Sequence, residues 1–171
     1  SNRIILWIAD GALAFVRGAN WLKLLSCLKT RAEVAMVLSG GCCCGAVRYE
    51  TTERVFHATI CHCPTCRKSA GAPSVAWFSV VLTDFEVISG TLANYRSSLH
   101  VTRGFCAECG TQLTYQHDGF PNDIDITLCS LDDPETTRPD DHTFVQYRLS
   151  WMVSGDALPE FQRSRAEGAG Q

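Results

Sequence analysis

Cys61-His-Cys-Pro-Thr-Cys66 places three cysteines within six residues. If Cys61 and Cys63 lie at a strand end, the period of two turns both to one side and His62 to the other. Pro64 suits the first position of a short helix, so Cys66 returns from the first helical turn. Three thiols then face one point. Arg67 and Lys68 follow at once, and with the helix N-terminus they favour thiolate over thiol. Two more clusters flank this one. Gly40-Gly-Cys-Cys-Cys-Gly45 is a glycine-bounded turn that can aim Cys42 and Cys44 together while Cys43 points away. Phe105-Cys-Ala-Glu-Cys-Gly110 has the form of a zinc knuckle, with Cys106 and Cys109 on a tight turn.

Seven clustered cysteines divide as four plus three. A structural zinc takes four protein ligands, whereas a catalytic zinc keeps one position open. Spacing leaves the partition undecided. Cys42 and Cys44 make four with Cys106 and Cys109, and equally with Cys61 and Cys63. A histidine (His57, His62 or His117) closing the central cluster would give a second structural zinc instead. Cys27, Cys43 and Cys129 fall outside the scheme and read as small buried hydrophobes.

The ten cysteines are many for 171 residues. Cys-x-Cys and Cys-x-x-Cys pairs are too close in sequence to cross-link distant elements, but they suit metal chelation. Free thiolates call for a reducing compartment, which points to the cytoplasm. The chain is long enough for one domain with its own core, and its 46% apolar content is that of a globular protein. A net charge of −3 lacks the basic excess that phosphate-backbone binding needs, so a nucleic-acid partner is not expected. No run approaches the roughly 18 apolar residues of a membrane span.

Outward from the clusters, the texture is that of a mainly β protein. Short β-like runs occur at residues 46–51, 56–60, 74–80, 85–89, 101–105, 112–116, 124–128 and 143–148. One short helix is expected after Cys63. Residues 1–37 differ and form an N-terminal extension. Ile4, Ile8, Ala12, Phe15 and Ala19 share one helical face, and Arg3, Asp10 and Arg17 share another. Two readings stand for it: a docking helix, or sequence ahead of a natural start at Met36. A signal peptide fits less well, because Asp10 and Arg17 interrupt the apolar stretch. Residues 38–161 then form the zinc-binding domain, and 162–171 a tail expected to fray.

Three motifs together resemble the glutathione-dependent formaldehyde-activating enzyme family, which includes centromere protein V-like members. They are Gly40-Gly-Cys-x-Cys-Gly-Ala-Val-Arg-Tyr49, Cys61-His-Cys-x-x-Cys-Arg-Lys-x-x-Gly-Ala72 and Arg103-x-Phe-Cys-x-x-Cys-Gly-Thr111. The likeness extends through Leu131-Asp-Asp-Pro, the His142 region and Asp156-x-Leu-Pro-x-Phe161. It implies a small zinc-stapled β-sheet or sandwich domain with two zinc ions per chain, the second at full or partial occupancy. It implies that Cys42, Cys44, Cys106 and Cys109 hold the structural ion. It likewise implies that Cys61, Cys63 and Cys66 hold the catalytic one. The activity implied is that of a carbon–sulfur lyase joining glutathione to formaldehyde, so a small thiol and an aldehyde are the expected partners.

The residues add a constraint to that expectation. Three thiolates overcompensate a divalent ion, leaving the site near −1, which suits holding a thiol better than polarising a carbonyl. Arg67 and Lys68 read either as that compensation and as contacts for substrate carboxylates, or as a solvated basic turn. Core packing is the expected role of Trp77, Phe78 and Trp151, with lining an apolar pocket as the alternative; Asp141 and His142 are candidate proton carriers, the alternative being an exposed loop. The alternative class is a non-enzymatic two-zinc module that binds a protein or nucleic acid.

Overall fold

A computed structural model describes residues 36–167. The expected N-terminal helix and Cys27 lie outside the described residues. Among the described residues the protein is mainly β, with ten strands, one α-helix and several single 3-10 turns. In chain order the strands are β1 (Val37–Gly41), β2 (Arg48–Thr52), β3 (Phe56–Cys61), β4 (Val75–Val81), β5 (Phe85–Ser89), β6 (Leu92–Ser98), β7 (Val101–Cys106), β8 (Gln112–His117), β9 (Asp123–Thr127) and β10 (Asp141–Thr143). The helix α1 (Pro64–Ala70) follows β3.

The strands form two sheets. One has the order β1-β2-β5, and the other β10-β3-β4-β9-β8-β7-β6. Pairing is antiparallel except for β10, which runs parallel to β3. Alternation along the central strands sorts their residues between two environments. On β4, Phe78 and Val80 enter the main core, while Trp77 faces the other side. On β9, Ile124 and Ile126 enter that core, while Asp123 and Asp125 face a cavity. The core closes with Leu38, Val47 and Tyr49 from the small sheet and its turn. The larger sheet therefore carries a core face and a cavity face.

Several expectations need correction. The run at 143–148 is a strand only at Asp141–Thr143; Phe144 then takes a left-handed conformation (φ 58°) and a 3-10 turn follows at Val145–Tyr147. Strands β1 and β6 were not among the expected runs. β1 ends in Ser39-Gly40-Gly41, residues of low strand propensity, and β6 exposes most of its side chains, so neither sequence shows an apolar alternation. The tail is not frayed over residues 162–167. Arg163 O accepts the Phe144 N–H at 3.0 Å, and Arg165 Nε bonds the Asp141 carboxylate. Cys43 and Cys129 are exposed rather than buried, because each sits in a turn whose backbone hydrogen bonds turn the side chain outward.

Candidate metal centres and the adjoining cavity

Two turns build the first cluster. Between β1 and β2, Cys42 N donates to Val47 O (3.0 Å) and Gly45 N to Cys42 O (3.0 Å). Between β7 and β8, Cys106 N donates to Thr111 O (3.0 Å) and Gly110 N to Cys106 O (2.8 Å). Gly45 (φ 78°) and Gly110 (φ 75°) supply the left-handed torsion that tightens each turn. Cys43 N donates to Thr111 Oγ1 (3.1 Å), tying one turn to the other. The thiols of Cys42, Cys44, Cys106 and Cys109 all lie within 4.8 Å of one another. Cys42 Sγ is 3.5 Å from Cys44 Sγ, and Cys44 Sγ is 3.8 Å from Cys106 Sγ. Metal–sulfur bonds of about 2.3 Å in a tetrahedron set sulfurs roughly 3.8 Å apart, so the four thiols fit a zinc ion. The Thr111 hydroxyl holds the Cys109 thiol down to about 5, which favours a ligating thiolate.

The second cluster is Cys61, Cys63 and Cys66, again within 4.8 Å. Cys61 ends β3. Cys63 caps α1, its sulfur accepting the Cys66 N–H at 3.3 Å. Cys66 is buried in the first helical turn. Thiol hydrogen bonds from Cys61 and then Cys66 push Cys63 down to about 2, and the same crowding pushes Cys61 up. One charge is thus readily held without a cation and three are not, which is the electrostatic profile of a metal site. Among the described residues no His, Asp or Glu joins these three thiols.

Each histidine proposed as a closing ligand is placed elsewhere. His62 turns away from the thiols and is 1% exposed, its Nε2 lying 2.9 Å from His142 Nδ1. His142 Nε2 in turn lies 3.0 Å from Asp156 Oδ1. Burial pushes His62 down to about 4, so this pair is neutral at His62 near pH 7. His57 and His117 line the cavity but stand outside the thiol group.

The cavity has a volume of about 610 Å³ and includes the triad in its wall. Its lining follows from the pleat: alternate residues of neighbouring strands share this face, among them Thr59, Trp77, Ser79, Arg103, Tyr115 and Asp125. Arg103 is 5% exposed, lies 5.0 Å over the Tyr115 ring and donates from Nη2 to Cys66 Sγ at 3.5 Å. Arg103 opens the third cysteine motif, where spacing alone assigns it no role. The signal was available in strand parity, since Arg103 shares a face with the residue paired to it on β8, but only once the register is known.

Arg67 and Lys68 do not line this cavity. They border a separate shallow groove with Leu149 and Trp151. At 3.6 residues per turn they are rotated roughly 100° and 200° from Cys66, so the helix that aims Cys66 at the cavity aims them away. Of the three aromatic candidates, Trp77 lines the cavity, Phe78 is fully buried in the core and Trp151 is 67% exposed. Asp141 and His142 are buried on β10, beside β3 in the same sheet, and lie outside the cavity lining.

The sequence model of a family described as glutathione-dependent formaldehyde-activating enzyme matches residues 37–147. An uncharacterized lyase of Schizosaccharomyces pombe is 30% identical over 83 residues, covering 48% of this chain and 60% of that protein. The chain thus spans less than two thirds of that relative's length. A crystal structure of a Rhodobacter sphaeroides protein aligns with a TM-score of 0.47 and 25% identity, over 55% of this chain and 87% of the other.

Proposed function

The chain belongs to the glutathione-dependent formaldehyde-activating enzyme family, and from that premise we propose that it joins a thiol such as glutathione to formaldehyde or another small aldehyde, as a carbon–sulfur lyase acting in the synthetic direction. The observation that carries this reading is the convergence of three thiols on a cavity large enough for a small-molecule substrate, with no fourth protein ligand among the described residues. Cys61, Cys63 and Cys66 would hold the catalytic zinc, and Cys42, Cys44, Cys106 and Cys109 a structural one, giving two ions per chain in a 38–161 domain. The cytoplasm, as a reducing compartment, keeps these thiols free. Zinc held by Cys61, Cys63 and Cys66 would supply acidification of a substrate thiol.

The chain's own residues supply the rest. Trp77, Tyr115 and Phe144 give the cavity its apolar walls and limit water around the reacting atoms. Arg103 offsets the negative charge that three thiolates leave, in a setting where its guanidinium is itself buried. In the reaction the thiolate sulfur forms a bond to the aldehyde carbon, the carbonyl π bond opens onto oxygen, and that oxygen takes a proton. Holding thiol and aldehyde together contributes through proximity.

The test is adduct formation by the zinc-loaded protein, measured against the spontaneous rate. Wild-type protein is expected to exceed that rate and Cys63→Ser to fall back to it. A wild-type rate equal to the spontaneous one would overturn the enzyme reading.

A further inference from the structure

A single rung of paired residues crosses four strands on the cavity face. Arg103 on β7 stands opposite Tyr115 on β8, Tyr115 opposite Asp125 on β9, and Asp125 opposite Ser79 on β4. All four line the cavity. The rung carries a cation on β7 and, two strands away, a carboxylate on β9 flanked by the Ser79 hydroxyl. At the cationic end Arg103 donates from Nε to Ser97 Oγ (3.2 Å) and from Nη2 to Cys66 Sγ (3.5 Å). Its Nη1 is buried and has no partner among the described residues. A buried guanidinium N–H without an acceptor is costly, and a ligand anion would satisfy it.

At the acidic end, Ser79 Oγ donates to Asp125 Oδ1 at 2.5 Å. No cation of the described residues bonds this carboxylate. Arg165 also lines the cavity, but its three nitrogens are committed: Nε to Asp141, Nη1 to His57 O (3.3 Å) and Nη2 to Ala58 O (2.8 Å). Burial pushes the Asp125 carboxyl above its ordinary range, and the Ser79 hydroxyl and the charges of His57 and Arg165 only partly oppose it. Among the described residues Asp125 thus has a hydroxyl partner but no ion-pair partner in direct contact.

We propose that Asp125, supported by Ser79, is the subsite for the ammonium group of the thiol substrate, and that Arg103 Nη1 takes a carboxylate of the same molecule. The cavity then selects a zwitterionic amino-acid or peptide thiol over an uncharged one. This rests on the thiol–aldehyde reading above and deepens it. The two poles suit such a ligand in reach, since two strand spacings set the Cα atoms of Arg103 and Asp125 about 10 Å apart. They also place the anion beside Cys66, so the ligand is oriented with one charged end at the triad.

The test is calorimetric titration of the zinc-loaded full chain with two ligands: glutathione, and its des-amino analogue in which hydrogen replaces the ammonium group. Wild-type protein is expected to bind glutathione about tenfold or more tightly, the worth of one charge-assisted hydrogen bond. Asp125→Asn keeps the acceptor for Ser79 and is expected to bring the ratio near one. It should do so by weakening glutathione alone, the unchanged affinity of the analogue showing that the variant is folded. Ser79→Ala should move the ratio in the same direction by less. A wild-type ratio near one, or a ratio that survives Asp125→Asn, overturns the subsite. If neither ligand binds the wild-type protein, the thiol reading falls and the subsite with it. If both bind with the expected ratio but no adduct forms above the spontaneous rate, catalysis falls and the subsite stands.

Discussion

Among the described residues Arg103 is the one cation whose side chain hydrogen-bonds the thiol triad, and its geometry shows why an arginine stands there. The guanidinium reaches Ser97 Oγ and Cys66 Sγ with different nitrogens while its face covers Tyr115. A lysine is a compact point charge and cannot make these contacts together. Arg103→Lys should therefore lower kcat/KM for adduct formation about 10- to 100-fold, the range set by one lost charge-assisted hydrogen bond. Lys68→Ala, on the far side of α1, should change it less than about twofold. Steady-state kinetics on the two variants checks both, and the reverse ranking would restore the basic pair after Cys66 as the substrate contact. The contrast shows what sequence carries at this scale. The cysteines were legible because metal ligands arrive in short local pairs whose spacing is itself the signal. The partition into four and three was not, because it depends on which distant turns meet. Arg67 and Lys68 follow Cys66 in sequence yet border a different groove, because adjacency in sequence is not adjacency on a helix face. Arg103 stayed hidden because its neighbours Cys66 and Tyr115 are supplied by other elements.

At the scale of elements, the turns carry as much of the site as the strands do. Among the described residues the left-handed region is confined to glycine except at His57 and Phe144, and two of those glycines tighten the turns that present the four-thiol cluster. The space around Gly110 is open, with no atom within 4 Å of where a Cβ would sit. Gly110→Ala thus isolates the torsional cost, about 1–2 kcal/mol, without a clash. It should lower the thermal midpoint by a few degrees and weaken zinc retention in a chelator competition, while leaving the triad's ligands in place. An unchanged midpoint would mean that this turn relaxes freely. The central strands were readable because their two faces meet different surroundings. On β9, isoleucines face the core and aspartates the cavity, a period of two that sequence displays directly. Edge strands β1 and β6 carry no such pattern: β1 ends in two glycines, and β6 exposes most of its residues.

At the scale of the whole molecule, the two thiol clusters differ in what they join. The four-thiol cluster links the turn of β1 and β2, in the small sheet, to the turn of β7 and β8, in the large one. Its sulfurs come from residues 62 positions apart at Cys44 and Cys106. A metal held there closes a long loop across the main core, so its binding free energy is also folding free energy. The triad closes only the six residues from Cys61 to Cys66 and adds little constraint to the unfolded chain. The two sites should therefore separate in a melting experiment. Removing zinc with a chelator should lower the midpoint by about 10 °C or more, since several kcal/mol of linkage act on a domain of this size. Cys109→Ser should reproduce most of that loss, and its sulfur lies at the exposed rim where substitution opens no core cavity. Cys63→Ser should leave the midpoint within about 4 °C of wild type while abolishing adduct formation. Equal losses of stability in Cys109→Ser and Cys63→Ser would mean that both ions staple the fold. The division into a structural and a catalytic metal would then have to be abandoned.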